Sequence, residues 1–178
     1  FKYFSQLLFD GAIGIGGEES AGASFLKKDG TVWTTDKDGM IMALLSMEIM
    51  AVMGKSALKM ADEFVEEFGN PSFGRIDAPC KKEQKQILKQ MSAELITATT
   101  VDGDSITNIR TTSLYNDMPI DGVRVETDKG WFVARPSGTE DLYKIYGESY
   151  KGDLGLVALL TAGEEIVNAA LNGTIETE

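Results

Sequence analysis

Arg135-Pro136-Ser137-Gly138-Thr139-Glu140 gathers a guanidinium, two hydroxyls and a glycine-opened backbone on one short run. That is equipment for holding a phosphate. Arginine offers a planar fork of donors that matches phosphate oxygens in pairs, and a glycine lets backbone N–H groups approach an anion without interference from a Cβ. The strand-like runs 131–134 and 142–146 lie on either side, so the six residues are predicted to form a strand-to-strand connection. An ordinary polar turn would draw on the same residue types.

Other residues could do chemistry, and most of their patterns fail on spacing. Gly14-Ile15-Gly16 opens like a dinucleotide-binding turn, yet the third glycine of that fingerprint would fall on Glu19. Glu18 and Glu19 are adjacent carboxylates, but neighbours on extended backbone point to opposite sides and cannot flank one glycosidic bond. Asp102-Gly103-Asp104 and Asp36-Lys37-Asp38-Gly39 are each too short for a calcium loop and read as a turn and a helix start. Lys37 stands out there, because a lysine in the first turn of a helix opposes the macrodipole unless it serves a purpose.

Composition narrows the field further. The 178 residues are 43% hydrophobic, enough for a real core in one large domain or two small ones. A net charge of -11 argues against nucleic acid and anionic membrane surfaces as partners, since both need a basic footprint. A small anionic ligand stays possible, because screening beyond about 8 Å leaves a local basic cluster to decide the matter. The chain has no histidine, so it cannot by itself build a Ser-His-Asp triad, a Cys-His pair or a histidine-bound zinc. Its one cysteine, Cys80, cannot close an intrachain disulfide, fits a reducing cytoplasm and reads as a half-buried structural thiol. The strongly apolar run 40–53 is broken by Ser46 and Glu48 and is shorter than the ~20 residues a membrane span needs. The chain opens on Phe1 already inside an amphipathic pattern, which reads as a fragment.

Stepping through the periodicity gives the elements. Residues 1–9 are predicted to end a helix at Asp10-Gly11, and 11–17 to form a short buried strand without partners in this chain. Thr35 is a plausible N-cap for a helix over 36–53, so apolar on every side that it should be largely buried, and whose uncovered surface another part of its domain should meet. A second helix is predicted over 56–68. Gly69-Asn70-Pro71 then breaks the pattern and divides residues 1–70 from 71–178. Beyond it, strands are expected at 73–80, 106–112, 123–126, 131–135 and 142–146, with helices over 81–92 and from Asp153 to Asn172-Gly173. The predicted fold is an incomplete α/β domain followed by a complete α+β domain, an antiparallel sheet covered by two helices.

Taken together, Gly16-Gly17-Glu18-Glu19-Ser20-Ala21-Gly22 and Arg135-Pro136-Ser137-Gly138-Thr139-Glu140-Asp141 resemble motifs of the α-D-phosphohexomutases. Thr35-Asp36-Lys37-Asp38-Gly39 and Tyr143-Lys144-Ile145-Tyr146 extend the likeness, which is nearest to the bacterial phosphoglucomutase branch and weakest over 81–116. The resemblance implies four domains around a deep cleft, of which this chain would hold the later part of the third and all of the fourth. It implies that glucose 1-phosphate and glucose 6-phosphate interconvert through an enzyme phosphoserine, with Mg²⁺ and with glucose 1,6-bisphosphate as intermediate. On that basis Glu18 and Ser20 would bind sugar hydroxyls. Arg135, Ser137, Gly138 and Thr139, with Lys144 nearby, would grip the phosphate that is not reacting. Lys37 would face the reacting centre as general acid, base or charge stabiliser.

The family's phosphoserine loop, Thr-Ala-Ser-His-Asn-Pro, and its Asp-rich magnesium loop are not among these residues, so no metal ligand is assigned here. The expected partners are a phosphorylated hexose and the N-terminal domains of the same cytoplasmic enzyme, with no nucleic acid and no membrane. Two alternatives stay open: a mutase for mannose or glucosamine phosphates, and a phosphosugar-binding module without catalysis. An acidic interaction domain would require both motifs to be coincidences.

Overall fold

The spacing of Phe4, Leu7 and Leu8 winds into helix α1 (Lys2–Phe9), which buries Leu8 completely. The computed structural model describes residues 1–18, 22–114 and 116–173 and divides into two units, Phe1–Glu67 and Phe68–Glu178. In the first, strand β1 (Ile15–Glu18) pairs antiparallel with β2 (Gly22–Phe25), Glu18 opposite Gly22 and Gly17 opposite Ala23. The strand expected to lack a partner therefore has one, and it is not buried along its length, since Ile15 is exposed. Gly16 explains the packing of α1 on this hairpin. A Cβ there would come within 2.8 Å of the Phe4 side chain, so only bare backbone admits the ring.

Helix α2 (Gly39–Met53) starts three residues later than its apolar pattern suggests, because Asp38 and not Thr35 is the N-cap. The Asp38 carboxylate accepts from the Met40 and Ile41 amides at 2.9 and 3.3 Å. Gly54 ends the helix at φ 64°. Although α2 is apolar all round, none of its residues is buried, and Met40 and Val52 are 82% and 78% exposed. Helix α3 (Ala57–Phe68) likewise has no buried residue. A helix apolar on every side belongs inside a core.

In the second unit, β3 (Ser72–Pro79), α4 (Lys82–Lys89), β4 (Thr100–Val101), β5 (Asp104–Thr112), β6 (Pro119–Thr127), β7 (Gly130–Pro136), β8 (Leu142–Ser149) and α5 (Gly152–Asn172) follow in order. The strands form one antiparallel sheet ordered β3-β8-β7-β6-β5-β4. Asp102 and Gly103, both at positive φ, turn β4 into β5. Alternation on β6, β7 and β8 sends Val123, Val125, Phe132, Ala134 and Ile145 to the face covered by α4 and α5, where each is fully buried. Each of these except Ala134 contributes about 1.5–3 kcal/mol by leaving water. Helix α5 is long and apolar enough, by length and composition alone, to cross a bilayer. Here its Leu159, Gly163 and Val167 are buried, with Gly163 against Ile145 and Phe132. Asp153 lies inside its first turn, accepting from the Ser72 hydroxyl at 2.6 Å, and is not its cap.

The opposite face of this sheet collects the arginines of the chain. Cross-strand register places Arg75, Tyr146, Val133, Arg124 and Arg110 in one row, and Asp77, Lys144 and Arg135 in the next. The phosphate-like motif thus ends a strand whose exposed face is already basic and aromatic.

Candidate functional site

Arg135 is the last residue but one of β7, and Ser137 to Asp141 form the connection to β8. The guanidinium is half-buried, 5.9 Å from the Tyr146 ring centroid, with Arg75 at the same distance from that ring. Its neighbours on this face are already committed: Arg75 to Asp77 at 2.9 Å, Arg124 to Glu126 at 2.7 Å and Lys144 to Glu140 at 2.7 Å. Arg135 has no carboxylate partner among the described residues. A guanidinium without a carboxylate partner is available to bind an anion.

The connection itself is built to hold its shape. The Ser137 amide donates to the Leu142 carbonyl at 2.8 Å, and the Ser137 hydroxyl accepts from the amides of Thr139 and Glu140 at 3.4 and 3.2 Å. Gly138 is exposed, its φ lies outside the left-handed region, and a Cβ there would meet nothing within 4 Å. Neither strain nor packing among the described residues requires glycine at 138, so its backbone is open to close approach. Glu140 is held below the usual carboxylate range by its hydrogen bond from Lys144, and Lys144 is correspondingly raised. Lys144 sits beside the loop, with its ammonium on Glu140.

Glu18 and Lys37 meet in the first unit. The Lys37 Nζ lies 2.6 Å from Glu18 Oε2. That hydrogen bond holds the Glu18 carboxyl below its ordinary 4.5. Because the folded value is depressed, the interaction stabilises the fold fully above pH 4.5 and is lost as pH falls through the depressed value. A carboxyl-carbon NMR titration of Glu18 should therefore show a midpoint below 4.5. A midpoint at the ordinary value would mean that the pair does not form in solution.

Lys37 precedes the N-cap and is not in the helix, so the expected clash with the macrodipole does not arise. It is instead held from β2. The Asp38 amide donates to the Ala23 carbonyl at 2.9 Å, the fully buried Ser24 hydroxyl donates to the Thr34 carbonyl at 2.5 Å, and Trp33 Nε1 donates to Asp38 at 3.0 Å. Gly22 leaves the space that the lysine stem fills, since a Cβ there would fall 2.7 Å from Lys37 Cβ. Glu18 offers an acceptor for hydroxyl protons, and Lys37 a cation able to meet developing negative charge. Ser20 lies outside the described residues.

Elsewhere the sequence candidates resolve as structure. Asp102 and Asp104 both pair with Lys151, at 2.7 and 3.3 Å. Cys80 is buried rather than half-buried, and burial pushes its thiol up, away from the nucleophilic thiolate. Lys85 escaped the sequence reading, which took its helix for a lysine-rich surface element. Its ammonium reaches the Glu140 carbonyl at 2.6 Å and Asp141 Oδ1 at 3.0 Å, and only the four-residue spacing from Lys81 hinted at a face turned to one neighbour.

Comparison with known proteins agrees with these units. The family model described as phosphoglucomutase/phosphomannomutase, alpha/beta/alpha domain III, matches residues 1–68, and that described as phosphoglucomutase/phosphomannomutase, C-terminal domain, matches 76–155. A phosphoglucomutase of Komagataeibacter xylinus is 46% identical over 169 residues, covering 95% of this chain and 30% of that protein. A probable phosphoglucosamine mutase of Pyrococcus abyssi is 25% identical over 158 residues, covering 89% of this chain and 30% of the relative. A solved phosphoglucomutase/phosphomannomutase family protein of Burkholderia thailandensis shares the fold at TM-score 0.61 and 22% identity, over 95% of this chain and 31% of its own. The chain thus spans about 30% of the length of these relatives. Two family models across most of its residues, with so similar a relative, place this chain in the phosphoglucomutase/phosphomannomutase family.

Proposed function

We propose that this chain is the sugar-recognising and phosphate-clamping part of a phosphoglucomutase, an isomerase that interconverts glucose 1-phosphate and glucose 6-phosphate through an enzyme phosphoserine carried elsewhere in the protein. The observation that carries the reading is the half-buried Arg135 without an anion, heading a loop whose Gly138 stands open. The likeness to the Komagataeibacter phosphoglucomutase favours glucose over mannose or glucosamine as the sugar.

In this reading residues 1–70 are the later part of the family's third domain and 71–178 its fourth. Glu18 and Ser20 bind sugar hydroxyls. Arg135, Ser137, Gly138 and Thr139 hold the phosphate remote from the chemistry, and Lys144 adds charge beside it. Lys37 is the catalytic residue of this part, giving or taking a proton at the reacting centre or stabilising its charge. The exposed apolar sides of α2 and α3 are covered by the rest of the third domain.

Magnesium is expected of the family, where it neutralises the charge of phosphoryl transfer. The described residues do not fit it: no group of three or more acidic, histidine or cysteine side chains among them could hold a metal ion. The metal, like the phosphoserine, belongs to other parts of the longer protein, and glucose 1,6-bisphosphate would be the intermediate. The protein containing this chain, assayed on the phosphates of glucose, mannose and glucosamine, should show its highest kcat/KM on glucose 1-phosphate. Preference for another sugar would move it within the family, whereas binding without turnover on all three would favour a module that only binds phosphosugars.

A further inference from the structure

We infer that Lys85, from α4, is the positioning residue of the phosphate loop; the inference rests on the phosphate-clamp reading of Arg135 to Thr139. Beside the loop lies an open groove of about 880 Å³, lined by Pro79 to Lys85 on one side and by Gly138, Thr139 and Asp141 on the other. On that side the loop's position depends on the bonds that cross the groove.

Few do. On the near side the Ser137 hydroxyl braces the Thr139 and Glu140 amides, which fixes the internal shape of the turn but not its placement. On the far side the Cys80 amide donates to the Asp141 carbonyl at 3.0 Å. From β8, Lys144 donates to Glu140 Oε2 at 2.7 Å, and Lys85 supplies the tether from α4, donating to the Glu140 carbonyl at 2.6 Å and to Asp141 Oδ1 at 3.0 Å. Two of its three ammonium protons go to adjacent residues of a loop 55 positions away in sequence.

The exposure of the partners is lopsided. The Lys85 side chain is 15% exposed while Asp141 is 93% exposed, so the lysine has surrendered water and its aspartate has not. An exposed carboxylate contributes little to stability through such a pair, and ordering a lysine opposes it with up to about 2 kcal/mol of rotamer entropy. Folding therefore gains little from placing a largely buried ammonium here. A phosphate clamp gains more. Lys85 shares the Glu140 carbonyl with the Leu142 amide and ties this end of the loop to α4, which holds the donors of Gly138 and Thr139 at one distance from the end of β7. Lys81 and Lys82 line the same space and carry no such bond to the loop, which singles out Lys85.

The test uses the 178-residue chain with inorganic phosphate as probe, and the variants Lys85→Met, of similar length without charge, and Lys85→Arg, which keeps it. Two readouts are taken by NMR: the phosphate Kd from the Gly138 and Thr139 amides, and amide exchange across 137–141 without phosphate. Lys85→Met should weaken phosphate about tenfold and speed exchange in the free loop, while Lys85→Arg recovers both to within about threefold, as expected for one lost charge-assisted bond. A wild-type Kd in Lys85→Met, or the same loss in Lys85→Arg, overturns the role of Lys85. Absence of phosphate binding by the unsubstituted chain overturns the clamp reading instead, and faster exchange in Lys85→Met would then leave Lys85 as the residue that positions the loop.

Discussion

Arg135→Ala should weaken the binding of glucose 6-phosphate by the longer protein roughly thirtyfold to a thousandfold. That corresponds to about 2–4 kcal/mol, the loss expected when one partner of a close charge pair is truncated. Among the described residues the guanidinium meets the Tyr146 ring but no carboxylate, whereas its neighbours Arg75, Arg124 and Lys144 all hold one. Stability should change little for the same reason, since no ion pair of the fold is broken and the Tyr146 ring keeps Arg75. Substrate and bisphosphate should lose affinity alike, because the clamp holds whichever phosphate is remote. Isothermal titration with each ligand would measure this. Unchanged affinity with a changed rate of serine phosphorylation would assign Arg135 to the chemistry and remove it from the clamp.

Lys37→Met should lower kcat by about 10²- to 10⁴-fold, the range for a positioned acid, base or charge stabiliser, with a much smaller change in KM. The lysine stem occupies the gap beside Gly22, and a methionine fills most of that volume, so the loop over 33–38 should stay in place. The bonds that fix this loop, Ser24 to Thr34 and Trp33 to Asp38, do not involve Lys37. Glu18→Gln is the useful contrast. It removes an acceptor for hydroxyls while leaving Lys37, and should raise KM more than it lowers kcat. Steady-state kinetics of both variants would distinguish them, and a Lys37→Met enzyme that changed only in KM would make Lys37 a binding group.

The loop at Arg135 was legible in the sequence because Pro, Ser, Gly and Thr stand between two runs whose alternation of buried and exposed residues is strict. Phe132, Ala134, Tyr143 and Ile145 are buried, and Val133, Arg135, Lys144 and Tyr146 face the other way. Local pattern also gave α3 and α5 nearly to the residue. Helix starts were less legible, since Thr35 and Asp38 are both good caps and only the backbone path shows that Asp38 reaches the Met40 amide. A strand was read over 11–17, but its partner β2 was missed because four residues are too few to carry the alternation that signals a strand. Lys85 left no more than that four-residue spacing, as its partners Glu140 and Asp141 lie 55 and 56 positions away and no local periodicity records a tether of that span.

The apolar surface of α2 is the clearest case of sequence and structure agreeing on something unfinished. Met40, Leu44, Met47 and Val52 are all more than half exposed, on a helix with no polar side to turn outward. In the family reading they meet the remainder of an alpha/beta/alpha domain, and the catalytic half of the account rests on that remainder as much as on Lys37.

A crystal structure of the longer protein with glucose 6-phosphate bound is the most direct test of the central claim that Arg135 to Thr139 form a phosphate clamp. The account predicts a phosphate oxygen within hydrogen-bonding distance of the Arg135 guanidinium and others met by Ser137, Gly138 or Thr139. A phosphate seated away from this loop, with Arg135 still unpartnered, would contradict it.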